Sequence, residues 1–149
     1  MDRIRKLKIE FNKVFSRNYG LSCDDDKNAR IYYKRNDFKG YIFSERFDEV
    51  ANFINCIKLA KKKRLVKRLN ENFAMELGFL FGMLISKAVY DGINMDTILN
   101  DSYIAKYKLD NKIKLFFAKY VSGIVENVRY AGTDWEGCEY NTCDIKKLY

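Results

Sequence analysis

The residues with the clearest chemistry in this sequence are the cations of one short segment. Seven lysines and arginines fall within eleven residues, and on a helical wheel they surround most of the axis. Such a density of positive charge is typical of surfaces that bind phosphate groups or acidic proteins. We name this segment the basic belt, and its cations are Lys58, Lys61, Lys62, Lys63, Arg64, Lys67 and Arg68.

A second group of cations alternates with aromatic rings in a predicted β-hairpin. Residues 29–35 and 38–44 are rich in β-branched and aromatic side chains, and Asn36 and Asp37 between them form a turn signal. These cations and rings lie on one face of the hairpin, which suits the binding of phosphates and the stacking of bases. An ordinary solvated face has the same composition. With a two-residue loop, three cross-strand pairs share this face, namely Tyr32–Tyr41, Lys34–Lys39 and Arg30–Phe43.

The last part of the chain is acidic, in contrast to the basic belt. Four acids and no base occur between residues 134 and 144, and Trp135 lies among them. Exposed tryptophan often anchors a partner protein, whereas closing the edge of the core is the alternative role for this ring. We expect an irregular acidic tail at about 132–149. Pairing of this tail with the basic belt would reduce the free positive charge.

Residues for catalysis or metal binding are sparse. The chain has no histidine, which removes the commonest general base and the commonest zinc ligand. The adjacent carboxylates at 24–26 lack the alternating spacing of a calcium loop. Cys138 and Cys143 lie five apart, and Cys23 and Cys56 are distant singles, so paired zinc knuckles are missing from the sequence. We therefore expect no catalytic residue, no metal, no cofactor and no enzymatic activity.

The element expected at the centre of the fold is an apolar run at about 73–90. Its side chains leave no polar stripe, so a helix here must be buried on most sides. The uncharged stretch between Glu76 and Lys87 is only ten residues long, too short to span a bilayer. Gly78 and Gly82 share one helical face, which allows another backbone to approach closely.

Three further helices have recognisable starts. Asp2 caps a first helix whose apolar residues repeat at helical spacing, and Ser44 is the predicted cap of a second. Asp110 opens a clearly amphipathic helix that carries its apolar stripe to Val128 and ends near Gly132. We predict an α+β, mainly α-helical fold. It is a helical bundle around the buried central helix (about 73–90) with one antiparallel β-hairpin (about 29–44), in a single compact domain over 1–149.

The charge of the whole chain points to a binding function. Its 149 residues carry a formal net charge of +8, and no apolar signal segment follows the charged N-terminus. We expect a cytoplasmic basic protein, with no membrane partner, that engages RNA or DNA through largely sequence-independent phosphate contacts. The alternative is an inhibitor or adaptor of viral or mobile-element type, anti-CRISPR-like in role, that binds a nucleic-acid-handling protein or ribonucleoprotein. A homo-oligomeric structural protein is the third hypothesis.

Overall fold

The chain divides into two compact units in the computed structural model. The first comprises Met1–Phe79 with Lys147–Tyr149, and the second comprises Leu80–Lys146. The expectation of one compact domain over 1–149 stays a prediction. The residues that the structure describes are 2–23, 25, 27–34, 39–90, 100, 102–106, 108–133 and 139–148.

The described residues are mainly helical, with antiparallel strands. This arrangement confirms the predicted α+β class. The helices are α1 (Arg3–Val14), α2 (Phe47–Lys62), α3 (Glu71–Tyr90), α4 (Ser102–Ala105) and α5 (Asn111–Ile124). The strands are β1 (Tyr19–Ser22), β2 (Asn28–Lys34), β3 (Lys39–Arg46), β4 (Val125–Thr133) and β5 (Glu139–Ile145).

Helix α1 forms as its sequence predicts. The carboxylate of Asp2 accepts a hydrogen bond from the backbone N–H of Arg5 at 2.8 Å, which satisfies one of the unpaired donors of the first turn. Leu7, Phe11 and Val14 are buried on one face. A capped start and a buried apolar stripe therefore account for this helix.

The predicted hairpin is part of a three-stranded antiparallel sheet with the order β1-β2-β3. The sequence does not predict strand β1, because Gly20 is also a residue type that commonly ends a helix. Helix α1 ends earlier, at Val14, and Gly20 lies in β1 opposite Tyr32. The ring of Tyr32 occupies the space that a side chain at residue 20 would fill.

A β-bulge makes the register of the hairpin differ from the predicted one. Tyr32 pairs with Tyr41 as expected, but Ile31 pairs with Phe43, which leaves Ile42 as the extra residue. Arg30 consequently lies opposite Ser44 and not opposite Phe43. Because of the bulge, the consecutive residues Ile42 and Phe43 are both buried. The prediction that Phe43 lies on the outer face is therefore wrong.

Helix α2 contributes ten buried residues to the first unit. It begins at Phe47 rather than next to Ser44, since β3 continues through Arg46. The first N–H of the helix, that of Phe47, donates to the carbonyl of Lys27 at 2.7 Å. The Phe43 and Phe53 rings pack at a tilt of 30°, with 4.7 Å between their centroids, and this contact holds the inner face of the sheet against α2.

Helix α3 covers the predicted apolar run, but its central position is not confirmed. The Asn70 side chain accepts from the N–H of Phe73 at 2.8 Å and so caps the helix. A Cβ atom on Gly78 would overlap the backbone carbonyl of Ile42, so the predicted close approach occurs, with a strand as the partner. Phe79 is half exposed, so the helix is not buried on all sides.

The second unit differs most from its prediction. Asp110 caps α5 through the N–H of Lys112 as expected, but the helix ends at Ile124 and the chain continues as β4. Strand β5, at Glu139–Ile145, pairs with β4, so this part of the predicted acidic tail is not irregular. No helix among the described residues is long and apolar enough to cross a membrane.

Candidate nucleic-acid interface

Helices α1 and α2 run parallel and bring their C-terminal ends together. Three side-chain contacts join them, and the residue numbers of the contacts increase along both helices. They are Arg3 with Asp48, Lys58 Nζ with a Glu10 carboxylate oxygen at 2.9 Å, and Lys61 Nζ with the Val14 carbonyl at 2.6 Å. Each helix C-terminus carries a partial negative charge from its unpaired carbonyls. Two such ends therefore meet beside the basic belt.

Two cations of the basic belt serve the packing of these helices. Lys61 donates to Val14, the last residue of α1, and so satisfies a terminal carbonyl. Burial lowers the pKa of Lys61. Glu10 accepts hydrogen bonds from Lys58 and Lys13, which lower the pKa of its carboxyl group. The prediction placed Lys58 and Lys61 in the binding surface, but in the structure both contact α1.

The next part of the basic belt is a tight turn that ends α2. The N–H of Leu65 donates to the Ala60 carbonyl at 2.9 Å, and the N–H of Arg64 donates to the Lys61 carbonyl at 3.0 Å. This pair of bonds is the Schellman motif, which needs a left-handed residue after the helix. Arg64 occupies that position with φ of 63°, where glycine is usually found.

The remaining cations of the basic belt are presented to solvent from this turn and the segment after it. Lys62, Arg64, Lys67 and Arg68 are all exposed. Within the described part of the chain, no acidic side chain forms an ion pair with any of these four residues. Lys63 is exposed too and has a contact of its own. We call Lys62–Arg68 the basic turn.

The backbone of the basic turn is anchored on both sides of its last two cations. Val66 is buried. The Tyr19 hydroxyl donates to the Leu69 carbonyl at 2.8 Å. Lys67 and Arg68 therefore project from an anchored segment. At the neighbouring end of α1, Arg17 is also exposed and adds to the positive charge, whereas Lys13 is paired with Glu10.

The outer face of the sheet is a second candidate surface. It lies on the side of the sheet away from α2 and carries Arg30 and Lys34, both exposed, on the middle strand. Tyr41 is 56% exposed. The Arg30 guanidinium carbon lies 5.8 Å from the centroid of the Tyr41 ring, within cation–π range. Lys34 is paired with residue Lys39 across the strands, as predicted.

One predicted binding residue lies outside the described part of the chain. This is Trp135, so its role as an anchor or as a cover for the core stays a prediction. The predicted pairing of the acidic tail with the basic belt also stays a prediction. The hairpin turn at Asn36 and Asp37 likewise falls on residues that the structure does not describe.

The acidic loop after β1 has a structural role at Asp25. Its carboxylate accepts from the N–H groups of Lys27 and Asn28 at 2.8 and 3.2 Å, and these bonds lower the pKa of Asp25. This arrangement shapes the turn into β2. Cys23 lies in the same loop and Cys56 is buried within α2. Within the described residues, no group of three potential metal ligands converges.

No protein-family model, curated protein sequence or solved structure matches this chain. Its described surfaces provide positive charge on an anchored turn and an exposed ring beside cations on a sheet. Both features are suited to an anionic, partly aromatic ligand.

Proposed function

We propose that this protein is a non-enzymatic binding protein that engages nucleic acid, mainly through sequence-independent phosphate contacts. The observation that supports the proposal best is the basic turn. Lys62, Arg64, Lys67 and Arg68 are exposed together, and no acidic side chain of the described residues neutralises them. A polyanion is the ligand that such a surface favours.

The cluster contributes little to the stability of the fold. Exposed ion pairs contribute only about 0–1 kcal/mol each, and exposed cations without acidic partners repel one another. Two cations, Lys58 and Lys61, already serve the packing of α1 on α2. The other exposed cations therefore favour a role in binding. Contacts to phosphates carry no base information, so the affinity should depend weakly on sequence and strongly on salt.

The proposal is tested with a triple variant and a matched control. The variant Lys62→Gln, Lys67→Gln and Arg68→Gln removes three charges from the basic turn. The control Lys108→Gln, Lys112→Gln and Lys119→Gln removes three exposed charges from the second unit. We measure binding to labelled oligonucleotides by fluorescence anisotropy over a series of salt concentrations, and melting temperature by calorimetry.

We expect the basic-turn variant to bind more weakly across all sequences while its melting temperature stays near that of the wild type. Its salt slope should fall by about one unit per lost phosphate contact. The control should keep most of the affinity. Equal losses in the two variants would mean that overall charge, not the basic turn, determines binding. A wild-type protein that binds no nucleic acid would refute the proposal, and a partner protein retained after nuclease treatment would favour the inhibitor or adaptor hypothesis.

A further inference from the structure

The outer face of the sheet places aromatic rings and cations in a defined order. Strands β2 and β3 alternate their side chains between the two faces, and the bulge at Ile42 interrupts that alternation. Ile42 and Phe43 both turn into the core, whereas Tyr41 and Ser44 on either side of them are exposed. The buried pair thus anchors β3 directly behind the exposed Tyr41 ring.

The rings of this face occupy different positions over the sheet. Tyr32 lies over Gly20 of β1, where its ring carbon Cε2 comes within 2.7 Å of the position that a Cβ on Gly20 would take. Its ring therefore covers the backbone of the neighbouring strand. Tyr41 has more than half of its surface exposed. Its ring therefore has free area for a ligand.

The cations beside Tyr41 lie within reach of a nucleotide stacked on that ring. The Arg30 guanidinium is 5.8 Å from the ring centroid. Lys34 lies two residues further along β2 from Tyr32, the cross-strand neighbour of Tyr41, and is exposed. A base on the ring would bring its adjoining phosphates towards these positive charges.

An exposed ring on a sheet distinguishes single strands from duplexes. A paired base in a duplex presents only its edge in the grooves, since its two faces are stacked on its neighbours. An unpaired base has a free face that can stack on an aromatic side chain whatever its identity. We propose that the outer face binds single-stranded nucleic acid by stacking a base on Tyr41, with Arg30 and Lys34 binding the adjoining phosphates. The inference rests on the proposed nucleic-acid function and names its substrate class.

Two substitutions of one residue test the stacking role. Tyr41→Leu keeps an apolar side chain in the strand but removes the ring, and Tyr41→Phe keeps the ring and removes the hydroxyl. We measure the affinity of each variant and the wild type for short labelled oligo(dT) and oligo(U), and for the oligo(dT)·oligo(dA) duplex. Circular dichroism and melting curves verify that each variant is folded.

We expect the wild type to bind the single strands more tightly than the duplex. Tyr41→Leu should lower the single-strand affinity by about fivefold or more, the loss typical of one stacked base, and leave duplex affinity nearly unchanged. Tyr41→Phe should retain single-strand affinity. Unchanged single-strand affinity in Tyr41→Leu, or an equal loss for single strands and duplex, would overturn the stacking role while nucleic-acid binding stands. A wild type that binds neither form would overturn both proposals.

Discussion

Replacing Arg64 by glycine should have opposite effects on stability and on binding. Arg64 is the residue with positive φ, other than glycine, among those the structure describes, and it forms the Schellman turn after α2. Glycine fits this turn without steric cost, but it has no charge to offer a ligand. The substitution therefore separates the requirements of the fold from those of the surface.

The expected gain in stability follows from the backbone conformation. A residue with a Cβ atom in the left-handed region costs about 1–2 kcal/mol. Glycine removes that cost, but it also gives the unfolded chain greater conformational freedom, which offsets the gain by about 0.4–1 kcal/mol. Arg64→Gly should then stabilise the protein by about 0.5–1 kcal/mol, which raises the melting temperature by about 1–4 °C for a chain of this size.

The expected loss in binding follows from the charge. If Arg64 contacts a phosphate, its removal should weaken binding and reduce the slope of log affinity against log salt by about 0.7 for a single strand. Arg68→Gly is the matched control, since Arg68 is equally exposed and lacks the positive φ. That variant should lose a similar amount of affinity and gain no stability. Calorimetry and salt-dependent anisotropy provide the two measurements.

The outcomes distinguish the two parts of the reasoning. A melting temperature that stays constant or falls in Arg64→Gly would refute the argument from backbone strain. A higher melting temperature with unchanged affinity and salt slope would show that the Arg64 side chain contacts no phosphate. A rise in stability together with a loss of binding would support its role in the basic turn.

Two further predictions concern the packing and the pH dependence of the first unit. Gly78→Ala should destabilise the protein by about 1–3 kcal/mol in a denaturant titration, because the new Cβ meets the rigid Ile42 carbonyl. The control Gly123→Ala, with open space at that position, should be neutral or stabilising. Equal effects of the two substitutions would contradict the close approach at Gly78. Burial, reinforced by the Glu49 carboxylate, raises the pKa of Glu45, so the stability this group contributes is present below the pKa of an unfolded glutamate and lost as pH rises through the native value. Glu45→Gln should therefore raise the melting temperature near neutral pH and lose that advantage in acid, and a pH-independent difference would argue against the shift.

Local signals in the sequence predicted the starts of two helices correctly. Asp2 and Asp110 each cap a helix through a hydrogen bond to a nearby N–H, so a few adjacent residues determine both starts. The end of α5 could not be predicted in the same way. The apolar repeat continues past Ile124, but the chain becomes β4 because it pairs with β5, at Glu139–Ile145. That pairing depends on residues far along the chain.

The candidate site shows the same division between local and distant causes. The density of cations and the alternation of rings with charges are visible in the sequence. Which cations serve the fold is not, because Lys61 meets Val14 across 47 residues of chain. The bulge at Ile42 is hidden for another reason. Ile42 and Phe43 are both apolar, so the sequence alone does not show which of them leaves the regular alternation.

The parallel pairing of α1 and α2 has a consequence for how the chain folds. In a helical hairpin, contacts near the turn close short loops first and the pairing then extends along both helices. Here Arg3–Asp48, Glu10–Lys58 and Val14–Lys61 lie 45, 48 and 47 residues apart, so every contact closes a loop of nearly the same length. No contact is entropically cheaper than the others. The three strands lie within that loop, and their pairings close shorter loops. We therefore expect the sheet and α2 to form first and α1 to dock onto them late.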